Sequence, residues 1–259
     1  MKDCREEWYD KDAKVAVTIV DVTSAAQELA RGHLAGPTAA HYLTDALVSV
    51  ALLGAEMSEK DETVILQAKC SGPLGGYNVE CTAQGTLRGY TEKKVLDGFD
   101  GLGKPKDKMV LGDQQIQVTR SVPGRILSQG ISTSLDGYFA GSLQRKACLK
   151  VEAAVSDEVE ILEARGILVE DMPDAKGPMV CCKTDDLKSL AVASRNILKQ
   201  LGLEKAELKK TTPLKFACRC SPDRAVAMLA ALSEEERKAL PPTIDITCHM
   251  CGKTFTVKV

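Results

Sequence analysis

Aromatic side chains are scarce: Phe, Trp and Tyr make up 4% of the 259 residues, with a single tryptophan, Trp8. A core built on rings is therefore excluded, and Val, Leu, Ile and Ala must fill it. An excess of one charge is also missing. The formal balance is −2, which argues against a protein that tracks phosphate backbones. Long apolar runs are absent as well. The longest, Ala46 to Ala55, is too short to span a bilayer, so no membrane partner is expected. Met1 to Asp12 is charged throughout and lacks the apolar stretch of a signal peptide, which makes a cytoplasmic location the expectation. Of the three histidines, His33 and His41 have no carboxylate or cysteine motif nearby in sequence. The glycine-rich stretches 72–76 and 98–103 match no phosphate loop, and no Ser/His/Asp arrangement has a recognisable local context. The chain is accordingly not expected to be an enzyme.

What the chain does have is ten cysteines. In a reducing compartment that number points to metal or redox work rather than to a disulfide scaffold. Four of them form two close pairs near the C-terminus, Cys218-Arg219-Cys220 and Cys248-His249-Met250-Cys251, with 27 residues between the pairs. The CxC…CxxC spacing suits one tetrahedral Zn²⁺ held by four thiolates. Such a site is either a structural staple or a store of reactive sulfur, because metal-bound sulfur is deprotonated and open to oxidation. The β-rich context of Cys248-x-x-Cys251-Gly252 reads as a zinc knuckle. A thioredoxin-type centre would place CxxC at a helix N-terminus. The CxC pair is less common: a bridge across one intervening residue needs a local bend, and strained bridges are easily reduced. His249 reads as a solvated side chain, and Cys181-Cys182 as an incidental apolar pair. Cys4, Cys70, Cys81 and Cys148 read as small packing residues.

The fold class expected is α+β: an N-terminal antiparallel-sheet core domain with helices, a helical linker, and a small C-terminal zinc-binding domain. Ser24 with Gln27 suggests a capping box for a short helix closed by Gly32. Pro37 opens a second, buried helix running to about Met57. Hairpins are expected around Gln84-Gly85 and Val122-Pro123-Gly124. A short helix is expected around 134–140, and in strand 147–155 Cys148 is placed on the wetter face. Composition shifts near 174–178. Thr184 then caps a linker helix, Asp186–Leu201, with Leu187, Leu190, Ala191, Ile197, Leu198 and Leu201 as its stripe and Gly202 at its end. Residues 203–212 are lysine-rich and read as loose. In the tail, Ser221-Pro222 starts a helix with Ala225, Met228, Leu229 and Leu232 as its stripe. Ser233 with Glu236 caps another, and strands flank the CxxC. These signals divide the chain into a core (1–177), a linker (178–212) and a small zinc-binding domain (213–259).

Phe216-Ala-Cys218-Arg-Cys220-Ser221, a helix, an acidic Ser-Glu-Glu-Glu turn, and Ile244-Asp-Ile-Thr-Cys248-His-Met-Cys251-Gly together resemble the redox-switch domain of the 33-kilodalton heat-shock-protein family. The core agrees. Gly72-Pro73-Leu74, Glu80, Gly85 and Leu87-Arg88-Gly89-Tyr90 are similar to the family's sheet motif. Gly130-Ile131 and Leu135-Asp136-Gly137-Tyr138-Phe139 are similar to the segment before its long core strand. The resemblance covers nearly the whole chain. It implies a redox-regulated holdase chaperone that needs no ATP and binds unfolded client proteins. The reduced form would hold one Zn²⁺ per chain on Cys218, Cys220, Cys248 and Cys251 and be inactive. Hypochlorite, or peroxide with mild heat, would oxidise the four to Cys218–Cys220 and Cys248–Cys251 disulfides with zinc release. The linker would then unfold, and the active form would be a homodimer. The alternative expectation is a constitutive zinc module that binds protein or nucleic acid; its tail carries seven basic and five acidic side chains, mild for nucleic acid.

Overall fold

Apolar and polar residues alternate along the strands, and the two faces of a strand lead to different neighbours. The computed structural model describes residues 3–101, 107–173, 175 and 180–259, without the side chains of Cys181 and Cys182. In chain order it begins with strands β1 (Cys4–Asp10) and β2 (Val15–Asp21), then helices α1 (Thr23–His33) and α2 (Pro37–Leu53). Strands β3 (Thr63–Cys70), β4 (Gly76–Thr82) and β5 (Thr86–Thr91) follow, then a single turn α3 (Asp107–Val110) and the hairpin β6 (Gln114–Val122) and β7 (Arg125–Ser132). The turn α4 (Leu135–Gly137) continues into a π-helical turn, and β8 (Lys146–Val155) pairs with β9 (Ile161–Asp171). Beyond them lie helix α5 (Ser194–Leu201), strands β10 (Glu207–Pro213) and β11 (Lys215–Phe216), helices α6 (Pro222–Ala230) and α7 (Glu234–Lys238), and strands β12 (Thr243–Thr247) and β13 (Thr254–Lys258).

These elements make a layered α+β fold. Sheet 1 has the order β10-β1-β2-β9-β8 and sheet 2 the order β11-β5-β4-β3-β6-β7. All pairings are antiparallel except β11 on β5. Helix α2 lies between the sheets, and its side chains Leu43, Leu47, Val50 and Leu52 are almost fully buried. With the turn after it, the helix is long and apolar enough by composition to cross a membrane. Nearly all of it is covered by protein, as a core helix requires. Its regular part ends at Leu53 and a 3₁₀ turn carries the chain on to Glu56.

Sheet 1 is covered on both faces. Val20, Ala164 and Leu168 point to the helices. Trp8, Val17, Ile19, Ile167 and Val169 point the other way, into a second cluster with Leu187, Leu190, Ile197, Leu198, Leu201 and Leu203. Cys148 packs against that second cluster instead of facing water. The cover is supplied by residues 187–206.

Several local expectations are corrected. The first stretch forms a hairpin, β1–β2, that carried no turn signal. Ser24 does not cap α1. The Asp3 carboxylate accepts from the Ser24 and Ala25 N–H groups at 3.1 and 2.6 Å, and Gln27 instead bonds the backbone of Val159 and Ile161. The helix closes on Leu34 in the left-handed region, past Gly32. The linker helix is shorter than its stripe suggested, spanning Ser194–Leu201 and preceded by a 3₁₀ segment at Cys181–Asp186. Residues 187–190 are held by the sheet: Lys150 Nζ donates to the Leu187 carbonyl, Glu152 accepts from the Leu190 N–H at 2.6 Å, and Arg165 donates to the Leu190 carbonyl at 3.0 Å. The lysine-rich stretch 203–212 is not loose. Glu207–Pro213 is an edge strand paired with β1, and its lysines project to water. Met228 is 65% exposed and leaves the α6 stripe. The composition shift near 174–178 lies mostly outside the described residues.

Candidate metal centre and its seat on the core

The C-terminal module has little core of its own. Ala225, Leu229, Phe255 and Val257 are its buried cluster, with Cys220, Leu232, Leu240, Ile244 and Ile246 packed around them. Ser221 caps α6 and a Ser233–Glu236 capping box starts α7, both as the sequence suggests. Strands β12 and β13 form a hairpin whose turn carries Cys248 and Cys251. The Cys248 carbonyl accepts from the Cys251 and Gly252 N–H groups at 3.3 and 2.8 Å, and Gly252 takes φ 72°. That conformation is open to glycine and strained for most other residues.

The four sulfurs meet. Those of Cys218, Cys220, Cys248 and Cys251 all lie within 4.8 Å of one another. Cys218 to Cys248 is 3.8 Å and Cys220 to Cys251 is 3.5 Å. A tetrahedron with Zn–S bonds of about 2.3 Å has edges of about 3.8 Å, so the spacing fits a metal ion. The donor set fits as well. Burial pushes the Cys218 thiol up, but hydrogen bonds from the Cys220 backbone and the Arg88 guanidinium outweigh it and bring it to about 7. Burial raises Cys220 and Cys251. Four thiolates this close repel one another, and a divalent cation removes that penalty. His249 stays outside the cluster; its ring meets Tyr90 edge-on at 5.8 Å.

The module sits on the free edge of β5. The Leu87 carbonyl accepts from Ala217 N–H at 3.1 Å, just before the first cysteine pair. Gly89 N–H donates to the Met250 carbonyl at 3.1 Å, inside the second pair. Arg88 Nη1 reaches Cys218 Sγ at 3.6 Å. Glu80 on β4 accepts from Arg88 Nε and from Arg219 Nη2, the latter at 3.0 Å. Each residue of Leu87-Arg88-Gly89-Tyr90 thus touches the module. From the other side, His33 Nε2 donates to the Gly89 carbonyl at 2.7 Å, and burial holds its imidazole below the usual range. These seat residues were not visible as site residues in the sequence. Glu80 and the Leu-Arg-Gly-Tyr strand stood out only as a sheet motif, and His33 as an isolated histidine.

Helix α1 approaches the knuckle backbone to backbone. A Cβ on Gly32 would lie 2.7 Å from the Cys251 carbonyl oxygen, and one on Gly252 would lie 2.0 Å from the Gly32 carbonyl. Gly32→Val is therefore expected to detach the module while leaving the core folded. Amide hydrogen exchange should rise across 214–220 and 248–252 by about tenfold or more, equivalent to about 1.4 kcal/mol or more of lost docking. Unchanged protection at those amides would count against this contact.

Among the described side chains, no other cysteine joins the centre, and those of Cys181 and Cys182 lie outside the description. Cys81 is fully buried beside Arg5, and burial pushes its thiol up to about 11. Cys4 and Cys70 are half-buried with thiols likewise raised by burial, so they fit the role of packing residues.

Comparison with known proteins agrees with this architecture. The family model for Hsp33 protein matches residues 7–258. A 33 kDa chaperonin of Thermus thermophilus is 27% identical over 270 residues, covering 92% of this chain and 79% of that protein. One from Oceanobacillus iheyensis is 25% identical, covering 98% and 96%. The crystal structure of the 33 kDa chaperonin of Thermotoga maritima superposes with a TM-score of 0.87 at 21% identity, covering all of this chain and 95% of that one; at that identity the likeness speaks for the fold. With the family model spanning almost every residue, and the cysteine centre and β5 motif both in place, this chain belongs to the Hsp33 family.

Proposed function

We propose that this protein is a redox-regulated, ATP-independent holdase chaperone of the cytoplasm that binds unfolded client proteins. The observation that carries the proposal is the joining of three parts: a four-sulfur centre, a module with too little core to fold well alone, and a linker that covers an apolar sheet face. In the reduced state Cys218, Cys220, Cys248 and Cys251 are the ligands of one Zn²⁺, which when bound keeps all four sulfurs as thiolates and ties the two pairs together. Hypochlorite oxidises the pairs to Cys218–Cys220 and Cys248–Cys251 disulfides. Each pair gives up two electrons to one hypochlorite, which takes two protons from solvent and leaves as chloride and water. The four donors are then spent, and the module loses the bonds that closed it.

The linker follows because it is continuous with the module. Residues 187–206 cover Trp8, Val17, Ile167 and Val169, and strand β10 connects that cover to the cysteines. Once they lift, the linker stripe and sheet face become a patch of the kind that captures exposed apolar segments of other chains. The oxidised form acts as a homodimer. In this reading, core (1–177), linker (178–212) and switch (213–259) are sensor and effector in one chain.

The test is to treat zinc-loaded, reduced protein with hypochlorite while following zinc release and the aggregation of a thermally unfolding client. Release of about one zinc per chain together with new suppression of aggregation is the expected result. Retained zinc, or release with no gain of activity, would sink the proposal. Salt-sensitive binding of RNA by the reduced protein would point instead to a constitutive binding module.

A further inference from the structure

Resting on the reading of the four cysteines as a metal centre, we infer that Arg88 of the core belongs to that centre's outer coordination shell, so that metal retention depends on the module's seat on β5. Four thiolates around a divalent cation carry a net charge of −2. Such a centre is stabilised by N–H donors that reach its sulfurs, and partners of this kind orient ligands and tune their basicity. The guanidinium of Arg88 reaches a sulfur of the centre, 3.6 Å from Cys218 Sγ. It comes from β5, far from the cysteines in sequence and on a different sheet from the β12–β13 knuckle.

Arg88 is positioned for this contact. Its side chain is 14% exposed and its Nε is held by Glu80, itself 9% exposed. Glu80 also holds Arg219, the residue between Cys218 and Cys220. One core carboxylate thereby fixes both the donor that reaches the sulfur and the peptide that carries the sulfur. The backbone bonds from Ala217 to Leu87 and from Gly89 to Met250 flank the contact on both sides. A planar fork anchored at one end and donating at the other is a task for arginine, and lysine cannot reproduce it.

The consequence is reciprocal coupling. If docking places a donor on the sulfur and so favours the bound metal, the bound metal favours docking by the same factor. Arg88 is thus a positioning residue of the centre, and the core takes part in sensing the state of the module.

The test uses the full chain. Arg88→Gln, Arg88→Lys and, as a charge-matched control on the exposed side of α6, Arg224→Gln are loaded with zinc and titrated with a chelator of known affinity. The same proteins are loaded with cobalt and their thiolate-to-metal absorption recorded. Arg88→Gln is expected to weaken zinc binding about 10–100-fold and to move the charge-transfer band to longer wavelength, because a sulfur that loses its hydrogen bond is easier to oxidise. Arg88→Lys, which keeps the charge and tests the point should the glutamine variant unfold, is expected to lie between it and wild type. Arg224→Gln is expected to match wild type in both measurements. Affinity and spectrum in the folded Arg88 variants equal to those of Arg224→Gln would overturn the inference. Failure of the wild-type chain to take up cobalt in tetrahedral thiolate form would overturn the metal centre itself, and the role of Arg88 with it.

Discussion

Cys251→Ser is expected to abolish stoichiometric zinc binding and to unfold residues 213–259 while the two-sheet core stays intact. The size of the effect follows from what the module has besides the metal. Its buried cluster contains three large apolar side chains, Leu229, Phe255 and Val257, and the small Ala225. Burying each large one stabilises by about 1.5–3 kcal/mol. Ordering each residue of the module costs about 1–2 kcal/mol of backbone freedom, and the apolar cluster cannot offset that alone. Structural zinc contributes about 10–16 kcal/mol in small thiolate modules. Cys251 is the most buried of the four cysteines, so a serine there cannot be replaced by a neighbouring donor. Zinc quantitation and hydrogen exchange by mass spectrometry read both effects. Wild-type protection across 243–258 in the serine variant would mean that something other than a metal holds the module.

Leu198→Asp is expected to give a chaperone that is active without oxidation. Ile197 and Leu198 have no exposed surface and Leu201 is 1% exposed, all against the outer face of sheet 1. A carboxylate at 198 would be buried in the apolar cluster that holds Val17, Ile167 and Val169, and the neighbouring cation, Arg195, is already engaged by the Trp8 ring and the Ala206 carbonyl. Such a group is expelled or protonated at a cost of several kcal/mol. The polar clamp on 187–190 from Lys150, Glu152 and Arg165 is partly exposed and cannot hold the linker against that cost. Leu198→Ala, expected to cost about 2–5 kcal/mol, provides a milder version. The measurement is suppression of client aggregation by reduced, metal-loaded protein. Activity approaching that of the oxidised wild type is expected for the aspartate variant and partial activity for the alanine variant. A linker that opens by hydrogen exchange yet confers no activity would remove sheet 1 from the client surface.

Some of the fold was legible because its signals are local. The hairpin at Gln84-Gly85 has Gly85 at φ 79°, and that at Pro123-Gly124 has Gly124 at φ 78°, the left-handed conformations that such turns call for. Pro37 and the Ser233–Glu236 box start their helices as expected. The β1–β2 hairpin was hidden because its turn uses Lys14 at φ 56° in place of glycine, and because Arg5, Glu6 and Glu7 make β1 look like a charged tail. Arg5 is nevertheless fully buried, donating to the Ala51 carbonyl near the end of α2. The linker helix is shorter than the sequence suggests because Leu187 and Leu190 fall at helical spacing without being helical. In the fold they sit in a segment whose backbone groups are satisfied by Lys150, Glu152 and Arg165, so helical hydrogen bonds are not needed there. Strand β10 carries no strand signal because an edge strand that is exposed at most positions looks like a loop.

The candidate site divides along the same line. The set of four sulfurs was readable from the chain, since CxC and CxxC each confine two ligands to one short turn and need only one long-range meeting. The seat was not readable, because Glu80, Arg88, Gly89, Tyr90 and His33 acquire their roles only when β5 and α1 are brought against the knuckle. Amino-acid order alone therefore determined which atoms can hold a metal and which segments fold locally. Tertiary packing decided what the metal centre rests on and which apolar face the linker hides, because those depend on contacts between elements that no local periodicity encodes.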